Sequence, residues 1–188
     1  MRKYLGNTYY EKNLNLAISK ILRSELRKAG AIVATSRMRD VKVRIDRRYI
    51  TANNWKADLF ISIHHNSSSL TRFLLGTNGT EAIYPKTNGY PRKYDSKKLA
   101  TYVNGSVAKH AKFKNRGTYQ DSRGLAVLRG TKMPAIILEA GYMASDSDMR
   151  RAIYRTSQIR TAKAIANGLR DYCYWRYVKS RNQTIIAG

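Results

Sequence analysis

The sequence predicts a single α/β domain with a mainly parallel central sheet flanked by helices, and three observations carry that reading. The first 66 residues alternate helix, strand, helix, strand, the pattern of sheets whose parallel strands are joined by helical crossovers. Leu59 to Ile63 is a short apolar run rich in β-favouring residues, closed by His64, His65, Asn66 and a run of serines. A second apolar run, Ala135 to Gly141, follows Pro134 and contains one carboxylate, Glu139. The 188 residues suffice for one full hydrophobic core and are short for two, so residues 1–188 are read as one domain.

Taken in order, Leu14, Ile18, Ile21, Leu22 and Leu26 fall at helical spacing between Glu11 and Ala29, with Asn7 and Thr8 available as caps and Gly30 as the stop. Ala31 to Arg37 reads as a strand. Val43 to Trp55 is a second helical pattern that delivers the chain into the central strand. Asn66 to Gly79 and Thr87 to Tyr94 read as polar loops around the short strand Thr80 to Tyr84. Ser96 caps a helix running to Lys112, with Leu99, Val103 and Val107 on its buried face and His110 half-buried. Gly117 to Gly124 is polar loop, and Leu125 to Arg129 is apolar. Asp146 to Tyr154 and Ser157 to Tyr172 read as helices, with 173–188 a helix extension and tail.

Thirty-six Lys and Arg against 12 Asp and Glu give +24, which calls for an anionic partner: nucleic acid, anionic lipid or a phosphate-rich bacterial wall. No apolar run approaches the roughly 20 residues needed to cross a bilayer. The single cysteine, Cys173, excludes an internal disulfide. Met1 to Thr8 has a basic start with no apolar stretch of a signal peptide behind it.

The chemistry concentrates at strand ends. Strand alternation puts His64 on the face of Phe60 and Ser62, and His65 on that of Leu59, Ile61 and Ile63. A carboxylate at Glu139 is costly to bury unless paired or liganded, so it is either ion-paired or a general base facing the crevice of His64. Glu11 opens the first helix, where the macrodipole favours an acid.

Read together, Glu11 to Leu16, Thr35 to Arg37 with Asp40, Arg47 with Ala52 and Asn53, Ala57 to Ser67, Arg116 with Gly117, Val127 to Arg129 and Pro134 to Tyr142 form one pattern. From about Tyr10 to Tyr172 the chain resembles the zinc-dependent N-acetylmuramoyl-L-alanine amidases of the amidase-3 family. The resemblance implies an amidase-3-like α/β domain that cuts the amide between N-acetylmuramic acid and the L-alanine of the peptidoglycan stem peptide by zinc-activated water. It makes Glu11 and His64 zinc ligands and Glu139 the catalytic glutamate. Ser62 and Asn66 are then expected to orient His64, with Arg116 and Arg129 as substrate-binding candidates. Peptidoglycan and anionic wall polymers are the implied partners, and the implied location is extracellular or in the cell wall, reached by secretion or phage release.

The pattern departs from the family at one place: Met1 to Tyr10 holds no histidine, where members carry a strand and loop that supply the first zinc ligand. Either that segment lies upstream or this is a natural short form, with His65 and His110 as the stand-in imidazoles. Two rival readings follow from this gap and from the charge. One is a catalytically incomplete amidase fold that binds the wall or regulates. The other, the weakest because the basic residues are spread through the chain, is nucleic-acid binding.

Overall fold

Strand β3 (Phe60–Asn66) and strand β6 (Ala135–Tyr142) run side by side and parallel at the centre of the site, pairing Phe60 with Ala135 and His64 with Glu139. They belong to a computed structural model that describes residues 1–66, 77–86 and 95–186, with side chains through 178. The other elements are strands β1 (Arg2–Tyr4), β2 (Asn7–Tyr9), β4 (Thr80–Tyr84) and β5 (Asn115–Gln120), and helices α1 (Glu11–Lys28), α2 (Ile45–Asn54), α3 (Ser96–Ala111), α4 (Ala126–Gly130), α5 (Asp146–Ile153) and α6 (Arg155–Ile186). The main sheet has the order β3-β6-β4-β5. Its β3–β6 and β4–β5 pairings are parallel and its β4–β6 pairing is antiparallel.

Because β6 is central and apolar on both faces, each face takes a separate cover. Ile136, Leu138 and Ala140 point into the larger core, against Ile18 and Leu22 of α1, Leu99, Val103 and Val107 of α3, and Ile165 and Leu169 of α6. Ala135 and Ile137 point the other way, where Val127 and Leu128 of α4 pack with Ile83. Asn53 of α2 docks onto this second layer, its amide donating to the Gly130 carbonyl while its carbonyl accepts the Lys132 N–H. Gly130 is required there: a Cβ would lie 2.6 Å from the Tyr49 ring.

Several expectations need correction. Ala31 to Arg37 forms no strand; it is irregular, and Ile32 is 95% exposed. Its β propensity is real, but a strand exists only with a hydrogen-bonded neighbour, and this segment is tied instead through Arg27 to the Val33 carbonyl and through Arg37 to Lys12 and Asp40. Conversely, 117–120, read as loop, belong to β5, an edge strand whose polar composition suits exposure. The segment 1–10 forms the antiparallel hairpin of β1 and β2. Asn7 and Thr8 therefore sit in β2, and the residue preceding α1 is Tyr10, which makes no side-chain cap. Ser96 is not a cap: it is buried, and its hydroxyl accepts the Ala135 N–H, pinning α3 to β6. His110 is exposed rather than half-buried. The run 125–129 gives the short helix α4. Gly30, at φ +84, ends α1 as expected.

Candidate active site

Three side chains share one level of the sheet. His64 on β3 pairs with Glu139 on β6, and Glu139 pairs in turn with Glu81 on β4. Alternation puts all three on the face that carries Phe60, Ile83 and Ile137, with His64 and Glu139 near the carboxyl ends of two parallel strands, where open α/β sheets place their ligands.

Helix α1 closes the β3 side. Its first residue, Glu11, puts Oε1 2.8 Å from His64 Nδ1, while the same oxygen accepts the His65 backbone N–H and the Asn15 amide. Burial would raise the Glu11 carboxyl, yet the hydrogen bonds from His64 and Asn15 outweigh it and bring it down to about 2. For His64, burial opposes the charged form, but the bond to Glu11 and the charge of Glu139 raise its pKa overall. Ser62 Oγ lies 3.1 Å from His64 Nε2, so the imidazole is held at both nitrogens. His65 points to the opposite face, 2% exposed, with Nδ1 2.7 Å from Asn15 Oδ1; burial brings its pKa down to about 4.

Glu139 is the least settled group. Its Oε2 is buried without a hydrogen-bond partner, no ion pair reaches it among the described residues, and burial pushes its carboxyl up to about 7. Glu81, by contrast, is saturated. It accepts from Arg116 Nε at 3.1 Å, from the Tyr142 hydroxyl at 2.9 Å and from the Asn66 amide at 3.3 Å. Asn66 thus serves Glu81 rather than His64, and Arg116 is spent on Glu81 and on the Tyr142 ring, 5.2 Å away. Arg129 lies on α4 and does not line the cavity described next.

In front of Glu139 opens a polar cavity of about 260 Å³, walled by Asn66, Glu81, Tyr119, Asp121 and Arg123. Two cations here escaped the sequence reading. Arg123 reaches Glu139 with its charge. Arg48 of α2 acts on His64 and has a buried, unpartnered Nε; its neighbour Arg47 is the residue matched to the family pattern. Nothing in the spacing separates Arg47 from Arg48, whereas their exposure does. The segments read as polar loops, Asn66 to Gly79 and Thr87 to Tyr94, fall largely on 67–76 and 87–94, outside the described residues.

The carboxylate of Glu11 and the imidazole of His64 are donor types that zinc takes. Among the described residues no group of three His, Cys, Asp or Glu side chains assembles; the pair numbers two donors where a hydrolytic zinc site takes three from the protein. His65 turns to Asn15 and His110 is exposed on α3, so neither joins them.

Known proteins supply the family to which this arrangement belongs. LytC of Bacillus subtilis, an N-acetylmuramoyl-L-alanine amidase, is 29% identical over 171 residues, 89% of this chain and 32% of LytC. The probable cell wall amidase LytH of Staphylococcus saprophyticus is 33% identical over 162 residues, 86% of this chain and 50% of LytH. This chain therefore spans between a third and a half of these two relatives. The crystal structure of N-acetylmuramoyl-L-alanine amidase from Clostridium difficile 630 superposes with a TM-score of 0.81 at 30% identity, covering 92% of this chain and 89% of that one. The family model described as N-acetylmuramoyl-L-alanine amidase matches residues 3–171, and the chain belongs to that family.

Proposed function

We propose that this chain hydrolyses peptidoglycan at the amide between N-acetylmuramic acid and L-alanine, with Glu139 moving the proton and Glu11 and His64 holding a zinc ion. The observation that carries the reading is the state of Glu139: buried, without a partner at Oε2, raised to about 7, and level with His64 on the same sheet face. A carboxyl near 7 takes up and releases a proton with equal ease at neutral pH, which is what general acid–base catalysis needs. Its Oε2 accepts the proton of the attacking water and returns it to the departing alanine nitrogen. Ser62 and Glu11 fix the His64 ring. A zinc ion bound there would polarise the amide carbonyl and acidify the attacking water.

Wall attachment follows from charge. At +24 the chain is drawn to anionic wall polymers, and an extracellular or wall location fits both substrate and charge. One observation favours a second reading, an incomplete amidase fold that binds wall without cutting it: only two metal donors assemble among the described residues.

The test is release of new amino-terminal alanine from purified peptidoglycan, read by amine labelling, with zinc counted per chain. The expected result is release that stops with chelator and falls about 10²- to 10⁴-fold in Glu139→Gln, the usual weight of a general base. Wild-type release by that variant rejects the role of Glu139. Wall binding with neither zinc nor alanine release establishes the second reading.

A further inference from the structure

The cavity beside Glu139 contains one cation, Arg123, that acts on Glu139 through its charge and has no ion-pair or side-chain hydrogen-bond partner among the described residues. Apart from Glu139, the cavity's carboxylates are accounted for: Glu81 by Arg116, Tyr142 and Asn66, and Asp121 by the backbone N–H groups of Arg123 and Leu125, at 2.9 and 2.7 Å. Asp121 is buried, and its own N–H donates to the Tyr84 carbonyl, so the turn is tied to β4 at one end and folded over its own carboxylate at the other. Gly124, at φ +69, completes it. This rigid turn holds Arg123 over the cavity, with no ion-pair or side-chain hydrogen-bond partner for its guanidinium among the described residues. Tyr119, 47% exposed, stands on the same wall.

An arginine carried by this turn at a cavity of about 260 Å³, which Glu139 also lines, presents a planar two-pronged donor to an incoming anion. Resting on the proposed amidase reading, we infer that Arg123 is a substrate-specificity residue that takes a free carboxylate on the stem peptide, one residue beyond the L-alanine whose amide is cut. The pairing holds the peptide while Glu139 faces the scissile nitrogen. It favours walls whose second stem residue carries a free carboxylate over walls in which that group is amidated, because the amide offers no charge to the guanidinium.

The probes are N-acetylmuramoyl-L-alanyl-D-isoglutamate and its D-isoglutamine counterpart, which differ only in that group. Wild-type protein is expected to prefer the acid about tenfold in kcat/KM, chiefly through KM, since a charge-assisted, two-pronged pair discriminates against a neutral isostere. The ratio should collapse to near one in Arg123→Gln and recover in part in Arg123→Lys. Arg160→Gln, an exposed cation on α6 outside the cavity, separates this pairing from the general attraction of a +24 chain and should keep the ratio. Absence of a wild-type preference, its survival in Arg123→Gln, or its equal loss in Arg160→Gln overturns the inference. If neither compound is cleaved, the amidase reading fails by itself. Calorimetric titration of the same two compounds into wild-type and Arg123→Gln protein then decides the carboxylate site: an acid preference lost in the variant upholds it, and equal binding ends it.

Discussion

Glu139 ties stability to pH in a direction opposite to that of a salt-bridged acid. Its carboxyl is raised by burial from 4.5 to about 7, so the folded chain binds this proton more tightly than the unfolded chain does. The contribution is complete below 4.5, the unfolded value, and is lost as pH rises through about 7; at one pKa unit per 1.36 kcal/mol it is at most about 3 kcal/mol. In metal-free protein, Glu139→Gln should therefore flatten the fall in melting temperature between pH 4.5 and 7, and unchanged curves would show that burial of this carboxylate is not what costs stability. The two histidines separate in another way. His64→Ala should abolish zinc binding in a titration. His65→Ala should keep it but lower stability by about 1–3 kcal/mol, because Asn15 loses its imidazole partner next to a packed face. Loss of zinc in the His65 variant would reverse the assignment of faces.

At the scale of elements, one close joint is where α6 crosses α3. A Cβ on Gly168 would come within 2.7 Å of the Val103 Cα and 2.8 Å of the Tyr102 carbonyl oxygen, both backbone atoms that cannot step aside. Gly168→Ala should thus cost about 1–3 kcal/mol by forcing the helices apart, even against the helix propensity that alanine gains. Gly105 on α3 is the control: nothing lies within 4 Å of its added Cβ, so Gly105→Ala should stabilise by up to about 1 kcal/mol. Urea unfolding of both variants checks the pair, and equal signs would mean that the crossing is looser than its geometry. The edge strand β5 shows the same dependence on context. Its sequence, Asn115 to Gln120, lacks an apolar stripe because it covers an edge rather than a core, so hydrophobic periodicity has nothing to register.

For the whole molecule the dominant quantity is charge. Retention on walls that carry phosphate polymers should fall at least about tenfold between 0.05 and 0.5 M salt, since the screening length shortens from roughly 14 to 4 Å over that range. Walls stripped of those polymers should bind less at the lower salt. Salt-independent retention would assign binding to the carbohydrate or peptide instead.

The sequence by itself determined the strands β3 and β6 and the long helices, because apolar strands and amphipathic helices leave recognisable apolar patterns. It read β3 as central, whereas β3 lies at the sheet edge. It singled out Glu139 as an acid within an apolar strand, while Glu11 and His64 were singled out by the family pattern. Tertiary structure decided the partnerships. Only the antiparallel placement of β4 against β6 sets Glu81 beside Glu139, and only the fold of the turn at Asp121 carries Arg123 to the cavity. Only the lack of a pairing neighbour leaves 31–37 without a strand. Propensity is local to a few residues, whereas register, pairing and the field felt by a buried carboxyl depend on groups far apart in the chain.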